Sequence, residues 1–267
     1  MDLSCVILSY NSARCIQKCL ESLVEAISKL GMDAEIWVVE NGSSDGSPGL
    51  IASIAQKHPM VRSIGLDKNY GTTASRNRAL SKSTGKQILV LDSDAYITAE
   101  ALEGLSSYLA ANPKVGLVAP KLIYPDGRPQ LSVDQFPTVP RKIERVIRLR
   151  QMERTEIHDQ TAEVDYAISA CWMLTRQAVD AVGLFDEAIF YAPEDVDYCL
   201  RIWKAGFRIV YQPSCVVIHD AQERSRKLIP NRFTWLHLQG LAYYFCKHKY
   251  FWSAKRLRER TTKGGLS

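Results

Sequence analysis

Ile88-Leu89-Val90-Leu91-Asp92-Ser93-Asp94 is a run of four apolar residues ending in two acids one residue apart. So short an apolar run fits a buried strand better than a helix. The pattern also occurs twice upstream. Cys5-Val6-Ile7-Leu8 leads into Ser9-Tyr10-Asn11, and Ile36-Trp37-Val38-Val39 leads into Glu40-Asn41-Gly42-Ser43-Ser44-Asp45-Gly46. Between these runs the spacing is helical. Ile16 to Leu30 puts Ile16, Leu20, Leu23 and Ile27 on one face, and Leu50 to Gln56 and Thr73 to Ser81 read as further helices. Val61 to Leu66 reads as one more strand. Strands alternating with helices predict an α/β fold built of βαβ units on a mostly parallel sheet. Such sheets bind ligands beyond the carboxyl ends of their strands, where the three polar clusters would converge.

The second half is less regular. Val115 to Ile123 reads as a strand, Val164 to Thr175 is apolar, and Ile209 to Ile218 is a strand running into His219. Glu194 to Ala205 reads as a helix, with Gly206 as its stop. Residues from about Tyr124 to Glu163 are polar, basic and dotted with proline, a long insertion within which Arg141 to Arg154 suits a basic helix.

The chain has 267 residues, 46% apolar and 24% charged, which fits one large domain or two fused halves. Its seven cysteines form no C-x-x-C pair, and the opening Met1-Asp2-Leu3 lacks a signal-peptide pattern. These features lead us to expect a reducing, cytoplasmic setting. No apolar run reaches the roughly 18–20 residues of a spanning helix. The net charge of +5 is uneven: from Arg224 onward there are eleven bases and one acid, so residues 1–223 carry −5. A basic C-terminal segment on an acidic body suggests an anionic surface as partner.

Three features carry chemistry. Asp92 and Asp94 point to the same side of an extended chain and repel unless a cation lies near them. Mg2+ and Mn2+ favour such oxygen ligands and often bridge to phosphates, although a solvated turn gives the same pattern. Glu194-Asp195-Val196-Asp197 opens a helix. The helix dipole favours acids there, yet three in four residues exceed what capping requires. A carboxylate held ionised there suits a general base. His219, at a strand end, is a candidate metal ligand, although a lone histidine is often structural.

Taken in order, these stretches resemble the inverting glycosyltransferases of family 2. The resemblance spans about Leu3 to His219. It is carried by Val6 to Asn11, by Val38 to Ser47, and by Asn69-Tyr70-Gly71 with Ala74 to Asn77. It continues through Asp92-Ser93-Asp94, Ala170 to Arg176 and Glu194 to Arg201. The last stretch is similar to the E-D-x-D helix of rhamnosyltransferase-like members. The resemblance implies a GT-A fold with a catalytic region of residues 1–223. That region divides into a Rossmann-like nucleotide-sugar half (1–98) and an acceptor half (99–223), and a basic, aromatic helical extension (224–267) follows. It further implies that Ser9, Tyr10, Asn11, Glu40, Asn41, Gly71, Arg76, Asn77, Asp92 and Ser93 lie on the donor side. Glu40 stands where the family usually has Asp, which lengthens the base-contacting side chain by a methylene. Asp94 and His219 would hold a divalent cation, Mn2+ or Mg2+. Asp195 would be the catalytic base, with Glu194 and Trp172 near the acceptor or the sugar. The implied donor is a nucleotide-sugar, dTDP-rhamnose first among them, and the acceptor a glycan or lipid-linked saccharide. A sugar-nucleotide-binding protein without catalysis is the alternative on the same fold. A dehydrogenase would want G-x-G-x-x-G where Ser9-Tyr10-Asn11 stands.

In the tail, Leu236 to Leu257 interleaves aromatic residues with bases. This suits either contact with the inner face of an anionic membrane or a helix packed on the body with a solvated basic face. Nucleic acid is a poor match, because the body offers no basic groove.

Overall fold

The computed structural model describes residues 1–138, 141, 160–221 and 232–251. The proposed basic helix at Arg141 to Arg154 lies, apart from its first residue, outside them. In the first half, β1 (Leu3–Ser9), β2 (Ala34–Asn41), β3 (Val61–Leu66) and β4 (Gln87–Asp92) alternate with α1 (Ile16–Leu30), α2 (Ser47–Lys57) and α3 (Thr72–Leu80). These strands pair in parallel in the order β3-β2-β1-β4. The register sets Ser9 opposite Glu40 and Leu8 opposite Asp92, so the polar clusters after three strands meet at one edge.

The sheet continues into the second half. There β5 (Ala95–Tyr96), β6 (Val115–Ile123), β10 (Cys171–Thr175) and β11 (Arg208–His219) join it. β10 runs antiparallel between β4 and β6, β11 is parallel to β6, and β5 caps the far edge antiparallel to β11. The pairing is therefore all parallel among β1 to β4 and mixed beyond them. Three short strands stand to the side: β7 (Val133–Asp134) pairs with β9 (Tyr166–Ala167), and β8 (Ala162–Glu163) pairs with β11.

α4 (Ala99–Ala111) adds to the sequence reading, which placed no element between Asp94 and Val115. The Thr98 hydroxyl caps it by accepting from the Ala101 amide, and Leu102, Leu105 and Leu109 bury one face. α1 buries Ile16, Leu20, Leu23 and Ile27, the face that its spacing predicts. All seven cysteines are described and six are buried. Burial pushes the Cys5 and Cys171 thiols well up, which keeps them protonated and inert.

α5 (Arg176–Val182) and α6 (Glu194–Lys204) cover the opposite face with α7 (Arg232–His248). α7 answers the question posed by the basic tail in favour of packing along its inner side. Tyr244 and Phe245 enter the core, and a Cβ at Gly240 would lie 2.0 Å from the Ala192 carbonyl oxygen. Asp197 anchors the helix end. Its carboxylate, 1% exposed, accepts from Lys247 Nζ at 2.6 Å, His248 Nε2 at 2.8 Å and Arg201 Nε at 3.0 Å. Burial opposes the ionised form of Asp197, but these hydrogen bonds and charges outweigh it and hold the carboxyl at about 2.

Because that pKa is depressed on folding, its contribution is complete above the ordinary carboxylate range and is lost as pH falls towards 2. Asp197→Asn should lose about 2 kcal/mol at neutral pH and flatten the stability decline between about pH 4 and 2. Urea unfolding across that range checks this, and a variant with an unchanged acid limb would contradict it.

Candidate active site

The carboxyl edge of the first half meets the end of β11. β5 pairs Ala95 with His219, and the Asp220 amide donates to the Asp94 carbonyl at 2.8 Å. These backbone contacts carry Asp94 alongside His219. Nε2 of His219 lies 3.4 Å from Asp94 Oδ1 and 4.0 Å from Asp92 Oδ2. One ligating atom from each of Asp92, Asp94 and His219 falls within 4.8 Å of the others.

Gln130, which the sequence reading did not single out, fixes the histidine. Its Nε2 donates to the His219 carbonyl at 3.3 Å, which turns Oε1 towards His219 Nδ1 at 2.6 Å. An amide oxygen only accepts, so Nδ1 carries the proton, and in the neutral ring Nε2 presents a lone pair towards two carboxylates. That arrangement is repulsive unless a positive charge lies among the three. An imidazole nitrogen with two carboxylates, oriented from behind by an amide, fits a divalent cation such as Mn2+ or Mg2+.

Arg76, on α3, ties this cluster to the start of α6. Its guanidinium is 3% exposed. Nη2 pairs with Asp92 Oδ1 at 2.5 Å, and Nη1 pairs with Glu194 Oε1 at 3.2 Å and Ser169 Oγ at 3.0 Å. The Ser169 hydroxyl donates to Glu194 Oε1 at 3.0 Å. Desolvation pushes the Asp92 carboxyl up, against the pull of Arg76 and with the repulsion of Asp94. Glu194 is also raised, first by burial and then by Asp195, with Arg76 opposing. Asp195 stands beside it, half-buried in the first turn of α6, and accepts from the Val196 amide at 2.8 Å. The helix dipole there favours its ionised form.

Several residues expected on the donor side lie at or near this edge. Asn11, at φ 49°, accepts from the Ser44 amide, and its own amide donates to Ser43. Glu40 accepts from the Ser43 amide at 2.7 Å and so closes its own turn. Tyr10, Asn11, Ser93 and Asp94 remain half-exposed at this edge. Gly71, at φ 87°, faces the Phe190 carbonyl so closely that a Cβ would lie 2.3 Å from its oxygen.

Four expectations need correction. Trp172 is fully buried, stacked against Phe185 and Tyr198, and so cannot touch a sugar. It faces inward because β10 is a central strand covered on both sides. Ser9 is fully buried with its hydroxyl on Ser12. Asn41 spends its amide on Asn69, Tyr70 and Gly71, and Asn77 spends its own on Phe185 and Glu187. These three polar residues anchor the loops of the site and do not line it.

A family model described as glycosyl transferase family 2 matches residues 4–183. The chain belongs to that family. It is a glycosyltransferase with the GT-A architecture. It is 25% identical over 271 residues to the N-acetylglucosaminyl-diphospho-decaprenol L-rhamnosyltransferase of Mycobacterium tuberculosis, covering 93% of this chain and 86% of that protein. It is 28% identical over 232 residues to the pre-mycofactocin glycosyltransferase of the same species, covering 86% of this chain and 45% of that one. Among solved structures, the fold is similar to a mannosyltransferase from Pyrobaculum calidifontis in complex with GDP-Man and Mn2+. The TM-score is 0.63 and the identity 19%, with 97% of this chain and 68% of that one covered. It is also similar to S. aureus TarS 1–349 in complex with UDP-GlcNAc, with TM-score 0.64, identity 18%, and 99% and 71% covered.

Gln130→Leu removes the acceptor for His219 Nδ1 and frees the ring to turn. Mn2+ affinity measured by titration calorimetry should fall about ten- to a hundredfold, with the fold intact by circular dichroism. Unchanged Mn2+ affinity would remove Gln130 from the site.

Proposed function

We propose that this glycosyltransferase moves a sugar from a nucleotide-sugar to an acceptor hydroxyl by a single, inverting displacement. The first donor to test is dTDP-rhamnose, and the acceptor is a glycan or lipid-linked saccharide. The observation that carries this reading is the Asp92, Asp94 and His219 cluster joined through one guanidinium to the acids that open α6. The rhamnosyltransferase relative, similar along most of both chains, supports the choice of sugar and of a lipid-linked acceptor.

Asp94 and His219, with Asp92 beside them, would hold a divalent cation. Held by these residues, such a cation would supply positive charge against the departing diphosphate. Arg76 keeps Asp92 in place and shares its charge with Glu194. Asp195 is the base: set at the helix start, where the dipole favours a carboxylate, and half-open to solvent, it accepts the proton of the acceptor hydroxyl as that oxygen attacks the anomeric carbon. Attack from the face opposite the leaving group inverts the anomeric configuration in one step. The inert, buried thiols have no part in it.

Nucleotide-sugars offered singly with Mn2+ or Mg2+, read by thermal shift and donor hydrolysis, test the donor. Selective stabilisation by dTDP-rhamnose that EDTA abolishes is the expected result, and an equal response to every nucleotide would count against the assignment. Asp195→Asn should lower transfer about 10²- to 10⁴-fold while leaving donor affinity unchanged. A variant that still transfers at the native rate would remove Asp195 as the base.

A further inference from the structure

The inner face of α7 packs on the body, and no element among the described residues covers its outer face. Trp235, Leu238, Ala242 and Cys246 recur at helical spacing on that side and are exposed, Trp235 by 65% and Leu238 by 50%. Phe251, just past the helix, is 44% exposed. Scattered exposed apolar residues are ordinary, but an aromatic and aliphatic stripe along one helix is not. The sequence on either side of the helix is basic. Arg224, Arg226 and Lys227 precede it, and Lys255, Arg256, Arg258, Arg260 and Lys263 follow, against Glu223 and Glu259.

We infer that the outer face of α7 docks on an anionic lipid surface. Tryptophan and leucine seat at the boundary between headgroups and acyl chains, while tethered bases are drawn to the negative headgroups. Charge decides between the candidate occupants. A second copy packed through this face would bring two strongly basic segments together, which repel. No helix among the described residues is long and apolar enough to cross a membrane. The placement has a consequence for function. The inner face of α7 touches Ala192 and Pro193, immediately before Glu194 and Asp195. A membrane on the outer face therefore lies about one helix diameter, roughly 10 Å, from the start of α6. This last point rests on the proposed role of Asp195 and on a lipid-linked acceptor. The docking surface itself does not.

The full chain should float with phosphatidylcholine vesicles that contain phosphatidylglycerol, stay behind with phosphatidylcholine alone, and be released by high salt. The double substitution Trp235→Ser with Leu238→Ser, at exposed positions, should lower the partition about tenfold or more without changing the melting temperature. Failure of the native chain to float with the anionic vesicles overturns the inference, as does equal flotation of the double variant. Concentration-dependent dimerisation that the double variant abolishes overturns it in favour of a second copy. Nucleotide-sugar thermal shifts without lipid, run in parallel, separate its failure from failure of the donor assignment.

Discussion

A buried guanidinium that cannot give up its charge must be met by acids. Arg76 meets two, one from each half of the molecule. Asp92 ends β4, and Glu194 opens α6. Breaking a buried pair by removing one partner costs about 3–5 kcal/mol, so this junction ties the end of β4 to the start of α6. Around it the strand ends of the first half, the β5–β11 edge and the start of α6 converge on one place. The donor and acceptor chemistries proposed for this chain both depend on that convergence.

The acids of α6 show how helical geometry divides a sequence motif. Successive residues turn by about 100°, so Glu194, Asp195 and Asp197 face three directions. Glu194 turns inward to Arg76 and Ser169, and Asp195 remains half-open at the first turn. Asp197 turns to α7, where Lys247 and His248 hold it. The sequence reading counted an excess of acids over what capping requires and found the candidate base among them. It had no means of seeing that Asp197 belongs to the docking of a segment some fifty residues later.

The strands of the first half were legible because short apolar runs ending in polar clusters have one reading in an α/β chain. The D-x-D and His219 were legible as ligand types, and the structure brings them together. Gln130 was not, because nothing in the Pro129-Gln130 stretch marks an amide that reaches a histidine 89 residues away. Trp172 was misplaced for a related reason: β10 runs through the middle of the sheet, so both of its faces are buried. Ser9, Asn41 and Asn77 sit in the right stretches, but hydrogen bonds to neighbouring loops consume their polar groups. Motif order locates the edge of the sheet, and side-chain partners decide which residues face the ligand.

Asp92, Asp94 and His219 are the proposed cation site at this edge of the sheet. Anomalous diffraction at the manganese edge, from crystals grown with Mn2+ and a nucleoside diphosphate, tests it most directly. One strong peak in contact with Asp94 and His219, with the diphosphate against it, is the expected result. A diphosphate bound at this edge with no manganese peak among these side chains would contradict it.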